Sequence, residues 1–347
     1  MSIKKREKNL DILRIIASFM VVLIHVSAIY VSTNIDKYNY NFKVGNFFDS
    51  ISRISVPLFV MVSGAFIIDN EKNKNFKYFI RKTFKKIIVP TLIWSIIYVI
   101  YSIILQIFSF NGKNTNYTLP FIQWINGEPY YHMWYMYMLI GLYFVTPFII
   151  EIKDKIGKVN FKILSIIFLI IGFITSFIGD LPWLIKFISY LGYFCLGYII
   201  KKYYNKRFSY KIYLFIGILS LFLIFIFTNL VVKYSLLHNR LYFYNYLNPL
   251  VILASISIFI VFTNMENLNC PKLILNISKH TFNIYMIHAG IINCLNLIIK
   301  YTFGRIFDPI WFIPFFSTIV YIISYYISKL IFKLKIFQKL KVLVLKY

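Results

Sequence analysis

The sequence predicts an all-α, polytopic membrane helix bundle of about ten transmembrane helices with both termini in the cytoplasm. Three observations predict it. The 347 residues are 59% hydrophobic and 14% charged, with a mean hydropathy of +0.70, whereas a soluble domain is about 45–50% apolar and about 25% charged. The apolar residues gather in long runs of about 17–25, the length an α-helix needs to cross a hydrocarbon core of about 30 Å. The cations, finally, alternate between heavily and lightly loaded connecting segments, as bilayer orientation requires.

The runs fall at roughly 10–32, 47–69, 87–110, 132–151, 162–179, 184–200, 211–232, 247–264, 281–300 and 310–332. The fifth and sixth are separated only by Gly179-Asp180-Leu181-Pro182-Trp183, a polar turn suited to a tight connection at an interface. Of the 38 Lys+Arg, 28 lie in the N-terminus, segments 70–86, 151–163, 201–211 and 265–279, and the stretch from Lys329 onward. The alternate segments carry 8, and Arg14 and Arg53 lie inside runs. The positive-inside rule therefore puts both termini in the cytoplasm. The first run follows basic residues as in a signal peptide. It is too long for one, holds Asp11 and Arg14 and has no small-residue cleavage site, so it reads as a retained helix. Residues 1–347 are read as a single transmembrane domain, with 333–347 a Lys-studded amphipathic tail for the anionic inner leaflet.

A net charge of +26 would point a soluble protein to nucleic acid. Here the cations sit between apolar runs, so orientation explains them and no nucleic-acid partner is expected. Three cysteines form neither a disulfide framework nor a metal-ligand spacing, and no metal is expected.

Ionisable side chains inside a span cost about 2.5–3.5 kcal/mol each at a helix centre and are functional candidates for that reason. The first run holds Arg14 and His25. Eleven residues at 100° each leave a rotation of about 20° after three turns, so both side chains share a face, about 16 Å apart along the axis. The structural alternatives are a snorkelling arginine and a packed histidine. Arg53 in the second run and His288 in the ninth are the other intramembrane candidates.

Asp11-Ile-Leu-Arg14 followed by His25 resembles the opening helix of the acyltransferase-3 family of integral membrane acyltransferases, with its Arg-x10-His motif. Arg53 through Pro57 to Ser63-Gly64 is similar to that family's second helix. Arg81-Lys82 through Lys86 to Pro90 resembles its basic inner loop, His132-Met-Trp134 the start of its fourth helix, and Ser278 to Tyr285-Met-Ile-His288 its ninth. Where some members carry an Arg-x-x-Arg pair in the inner loop, this chain has Arg81 with Lys82, Lys85 and Lys86; lysine attracts phosphate without the bidentate fork.

The resemblance implies an enzyme that moves an acyl group, acetyl in the first instance, from cytoplasmic acyl-CoA to a hydroxyl of a cell-surface or exported polysaccharide, in a bacterial cell membrane. On that reading Arg81, Lys82, Lys85 and Lys86 receive the phosphates of CoA, and Arg14 lies at the same depth. His25 and Arg14 are the catalytic residues, His25 having a pKa suited to proton transfer near neutral pH. His25 serves either as base for the acceptor hydroxyl or as acyl carrier. Arg53 orients His25 or holds the sugar, and Ser63 and Tyr285 are candidate oxyanion donors. His132 and Trp134 mark the outer mouth of the fourth helix as sugar-stacking candidates, although interfacial aromatic belts use the same residues. Glu128 is a candidate second acid/base. The partners implied are the bilayer, a carbohydrate acceptor and polysaccharide-synthesis machinery. Two other classes stay open at this stage: a glycan flippase or exporter, and a non-catalytic membrane subunit of a polysaccharide synthase.

Overall fold

The computed structural model describes residues 7–109, 116–179, 181–204, 209–265, 271–304 and 307–333. All regular structure among the described residues is helical, and eight helical stretches are long and apolar enough to cross a membrane. Bulky side chains such as Ile100, Ile170, Phe215 and Phe315 stand exposed on them, which suits hydrocarbon as the surrounding solvent. This is a multi-pass membrane protein. The expected tail lies beyond the described residues.

The chain divides into two compact units, one built from residues up to Val62 together with those from Ile199 onward, the other from Ser63–Tyr198. In the first, α1 (Lys8–Asn34) is buried on two sides. Its Val22, Leu23 and Val26 pack with Ile284 and Ile292 of α12 (Thr281–Phe303) and with Ile313, Phe316 and Val320 of α13 (Pro309–Lys333). Further along, Val31 packs with Phe42 of α2 (Tyr40–Ser52), Ile224 and Val232 of α9 (Tyr210–Tyr234), and Val251 of α10 (Pro249–Asn264). Between apolar surfaces, hydroxyl pairs fix register: Ser18 Oγ and Tyr321 OH lie 2.6 Å apart, joining α1 to α13. Replacing Tyr321→Phe removes that bond but leaves Ser18 donating to the Ile15 carbonyl at 2.7 Å. The expected loss is about 1 kcal/mol or less, read as a small drop in the melting temperature of the purified protein.

The second expected run differs from the sequence reading. It starts at Tyr40, where the Asn39 side chain accepts the Phe42 N–H at 3.1 Å and caps α2. It then breaks between α2 and α3 (Ser55–Ile67). Pro57 is the cause: it has no N–H for the carbonyl four residues back, that of Arg53, and its ring crowds it. Arg53 N–H turns instead to Ser50 O at 3.3 Å, and the ladder resumes with Leu58 N–H to Ile54 O at 3.0 Å.

The second unit corrects three further expectations. Much of the basic segment 70–86 is helical, since α4 (Phe76–Thr83), capped by Asn75, leads through a π-turn (Phe84–Ile88) into α5 (Val89–Ser109). The wide turn, closed by Val89 N–H on Phe84 O, immediately precedes Pro90 and absorbs its missing donor. The fourth and fifth expected runs lie in one helical stretch, α7 (Trp134–Ile178), interrupted at Gly157 (φ 75°, ψ 175°), a conformation essentially reserved for glycine. The loop expected at 151–163 thus reduces to that single break. The sixth run is not a straight helix from residue 184. A 3-10 turn (Lys186–Tyr190) feeds the 13-residue α8 (Leu191–Tyr203). Its Tyr193, Phe194 and Cys195 are fully buried, so its apolarity serves protein packing. A Cβ on Gly64 of α3 would overlap the Phe194 carbonyl, so only glycine allows these two backbones to approach as they do.

Candidate active site

His25 sits on an unbroken α1, so the spacing that puts it on the face of Arg14 is realised. His25 is partly exposed although Ile24 and Val26 beside it are buried. Against it, from α12, stacks His288, with ring centroids 5.3 Å apart and planes at 30°. His288 is fully buried. Its Nδ1 lies 2.6 Å from the Tyr285 carbonyl oxygen and 3.2 Å from that of Ile284. A carbonyl only accepts, so Nδ1 carries the hydrogen and Nε2 holds the lone pair of the neutral ring. The Tyr285 ring lies 5.6 Å from the His288 ring.

A buried ion pair lies in the same unit. Arg53 Nε donates to Asp49 Oδ1 at 2.5 Å, and its Nη2 also reaches that carboxylate. The guanidinium stacks 4.0 Å from the Tyr244 ring and 5.8 Å from that of Tyr246. Its Nη1 donates to the Tyr244 carbonyl at 3.4 Å. The other Asp49 oxygen accepts from Ser27 Oγ, on α1 two residues after His25, at 3.4 Å. Tyr244 OH in turn donates to Asn46 Oδ1 at 2.6 Å. Both His288 and Arg53 lie within electrostatic reach of the His25 ring.

Near the start of α1, Arg14 pairs with Asp11 at 3.6 Å, the carboxylate buried and the guanidinium partly exposed. Asp11 lies in the first turn, where the helix dipole favours an anion.

The remaining sequence candidates belong to the second unit. Arg81 and Lys86 are exposed; Lys82 and Lys85 are partly buried, with Lys82 Nζ 3.3 Å from Asn73 Oδ1. Beside this segment Lys74 and Lys153 both hold Asp154, at 2.8 and 3.1 Å, and Lys153 also holds Glu71 at 2.8 Å. The hydrogen bond to Asp154 raises the pKa of Lys74 above its ordinary value. Ser63 is partly exposed on α3. His132 is buried edge-on against Tyr98 at 5.1 Å, beside Tyr130 and Tyr131. Trp134 lies 6.0 Å from Tyr190 and under Lys186 Nζ at 4.9 Å; Lys186 also meets Glu128 at 3.7 Å.

The structure thus joins His25 to His288 and puts Arg53 within electrostatic reach of His25, and it adds Asp49, Ser27, Tyr244 and Tyr246. Asp49 had a signal in the sequence, a carboxylate four residues before an arginine inside one apolar run. The tyrosines had none, since they enter from a segment nearly two hundred residues away. Among the described residues no group of His, Cys, Asp and Glu is arranged to hold a metal.

Chemically, a partly exposed imidazole backed by a second one of fixed tautomer can take a proton from a hydroxyl or accept an acyl group. Residues 7–329 match the family model described as an acyltransferase domain, that of acyltransferase-3. No curated protein and no solved structure matches the chain. With that match running from the turn before α1 almost to the end of α13, and both intramembrane histidines inside it, the chain belongs to the acyltransferase-3 family and is a membrane acyltransferase.

Proposed function

We propose that this membrane acyltransferase is an O-acyltransferase that moves acetyl from cytoplasmic acetyl-CoA to a hydroxyl of a cell-surface or exported polysaccharide, with both chain termini in the cytoplasm. The observation that carries the reading is His25 itself: an ionisable ring deep in an apolar helix, partly exposed, and stacked on His288. In the direct route His25 takes the proton of the acceptor hydroxyl as its oxygen attacks the thioester carbonyl. The tetrahedral oxyanion then collapses, the C–S bond breaks, and the CoA sulfur leaves with the proton. In the two-step route His25 carries the acetyl between the two substrates. Arg81, Lys82, Lys85 and Lys86 are assigned to the phosphates of CoA, since their segment holds seven cations within 70–86. Arg14 is assigned to the donor as well. Ser63, His132 and Trp134 are assigned to the sugar, and the bilayer, a carbohydrate acceptor and the polysaccharide machinery are the partners.

The test uses purified protein in liposomes supplied with [14C]acetyl-CoA, following label from CoA to protein or added glycan. Turnover is expected. Failure with both acetyl- and succinyl-CoA, together with glycan flux across the membrane, would replace this reading with a flippase. Arg14→Ala is expected to raise the KM for acetyl-CoA about tenfold with little change in kcat, the loss of one charged hydrogen bond being worth about 1.5 kcal/mol. An unchanged KM would return Arg14 to membrane orientation alone.

A further inference from the structure

Asp49 is a fully buried carboxylate with no role in the sequence reading or in the reaction above. Burying a carboxylate and a guanidinium is costly unless their geometry is close and their other hydrogen bonds are met. Here the geometry is close. Two guanidinium nitrogens reach one carboxylate oxygen, and the second oxygen shares the Ser27 hydroxyl of α1 with the Ile24 carbonyl, at 3.4 and 3.0 Å. The guanidinium plane is then covered by Tyr244, whose own carbonyl takes Nη1 and whose hydroxyl is held by Asn46. Arg53 is therefore held directly by Asp49 of α2 and by the 242–246 segment, while Ser27 of α1, two residues after His25, reaches the same carboxylate.

We propose that Asp49 is a positioning residue of the acyltransferase site: it holds the Arg53 guanidinium against Tyr244 and, through Ser27, ties it as one neutral unit to the stretch of α1 that carries His25. Removing either charge leaves the other buried and unpaired, whereas removing both does not. A purely structural pair and a positioning pair therefore diverge in the double variant. This inference rests on the reading of His25 as the reacting group, and its test has a readout independent of turnover.

Asp49→Asn, Arg53→Lys and the double variant Asp49→Asn/Arg53→Gln are purified and reconstituted. Melting temperature, kcat and KM for acetyl-CoA, and the rate at which diethyl pyrocarbonate modifies His25 (read by peptide mass spectrometry) are measured for each. Asp49→Asn is expected to melt well below the natural protein. The double variant is expected to recover most of that loss, yet to transfer at least a hundredfold more slowly, with KM little changed and the His25 modification rate altered at least threefold. Arg53→Lys keeps the charge but loses the fork and the planar stack, and is expected to stay near the natural melting temperature with transfer at least tenfold slower. A double variant that regains both stability and transfer would make the pair structural only and overturn the proposal. If the natural protein itself transfers no acetyl, the proposed reaction fails; an unchanged His25 modification rate in the double variant would then overturn the positioning role separately.

Discussion

His25→Ala is expected to lose acetyl transfer by about 10²–10⁴-fold, the range a positioned proton-transfer group contributes, while the protein still inserts and purifies normally. The separation of activity from stability follows from the site. His25 is partly exposed and belongs to neither of the apolar clusters that hold α1 in place. Its loss removes one ring of a stack, and the His288 hydrogen bonds to Tyr285 and Ile284 stay in their own helix. The measurement is label transfer in liposomes beside a melting curve and a protease-accessibility map of the same preparation. Wild-type transfer by a correctly inserted His25→Ala protein would remove His25 from the chemistry. Label retained on wild-type protein and missing from the variant would favour the acyl-carrier route over direct deprotonation.

The largest expected stability effect lies elsewhere, at Gly64. A methyl group there would occupy the position of the Phe194 carbonyl. Carbonyl oxygens cannot rotate aside as side chains do, so α3 and α8 must separate and open the packing around the fully buried Tyr193 and Phe194. Overpacking of this kind costs about 1–3 kcal/mol even where neighbours give way. Gly64→Ala is expected at the upper end, and Gly64→Leu is expected not to yield folded protein. A Gly64→Ala protein that melts with the natural one would show that the two helices do not meet this closely.

The sequence made the spans legible because a helix facing lipid must be apolar along its length, and nine of the ten expected runs correspond to parts of long described helices. It misled at α8, where a run buried against protein has the same composition as one facing lipid. Breaks within helices were present as Pro57 and Gly157, yet a proline inside an apolar run does not say whether the helix bends or stops. Within the site, each intramembrane histidine was identifiable from its depth. Their meeting was not, because nothing local to α1 reports which helix packs on it. Asp49 stands one helical turn before Arg53, a spacing visible in the sequence, whereas the tyrosines that cover the guanidinium are found only in three dimensions.

The Asp49–Arg53 contact has a consequence for how the chain enters the bilayer. Both residues lie on one short stretch, a single turn apart, so their charges can neutralise one another as soon as that stretch coils, without any later helix. Partitioned singly, each ion would oppose integration by about 2.5–3.5 kcal/mol; joined, they enter as a dipole. Tyr244, which covers the pair, lies much later in the chain. The polar element is thus local in sequence, whereas its aromatic cover comes from a segment nearly two hundred residues later.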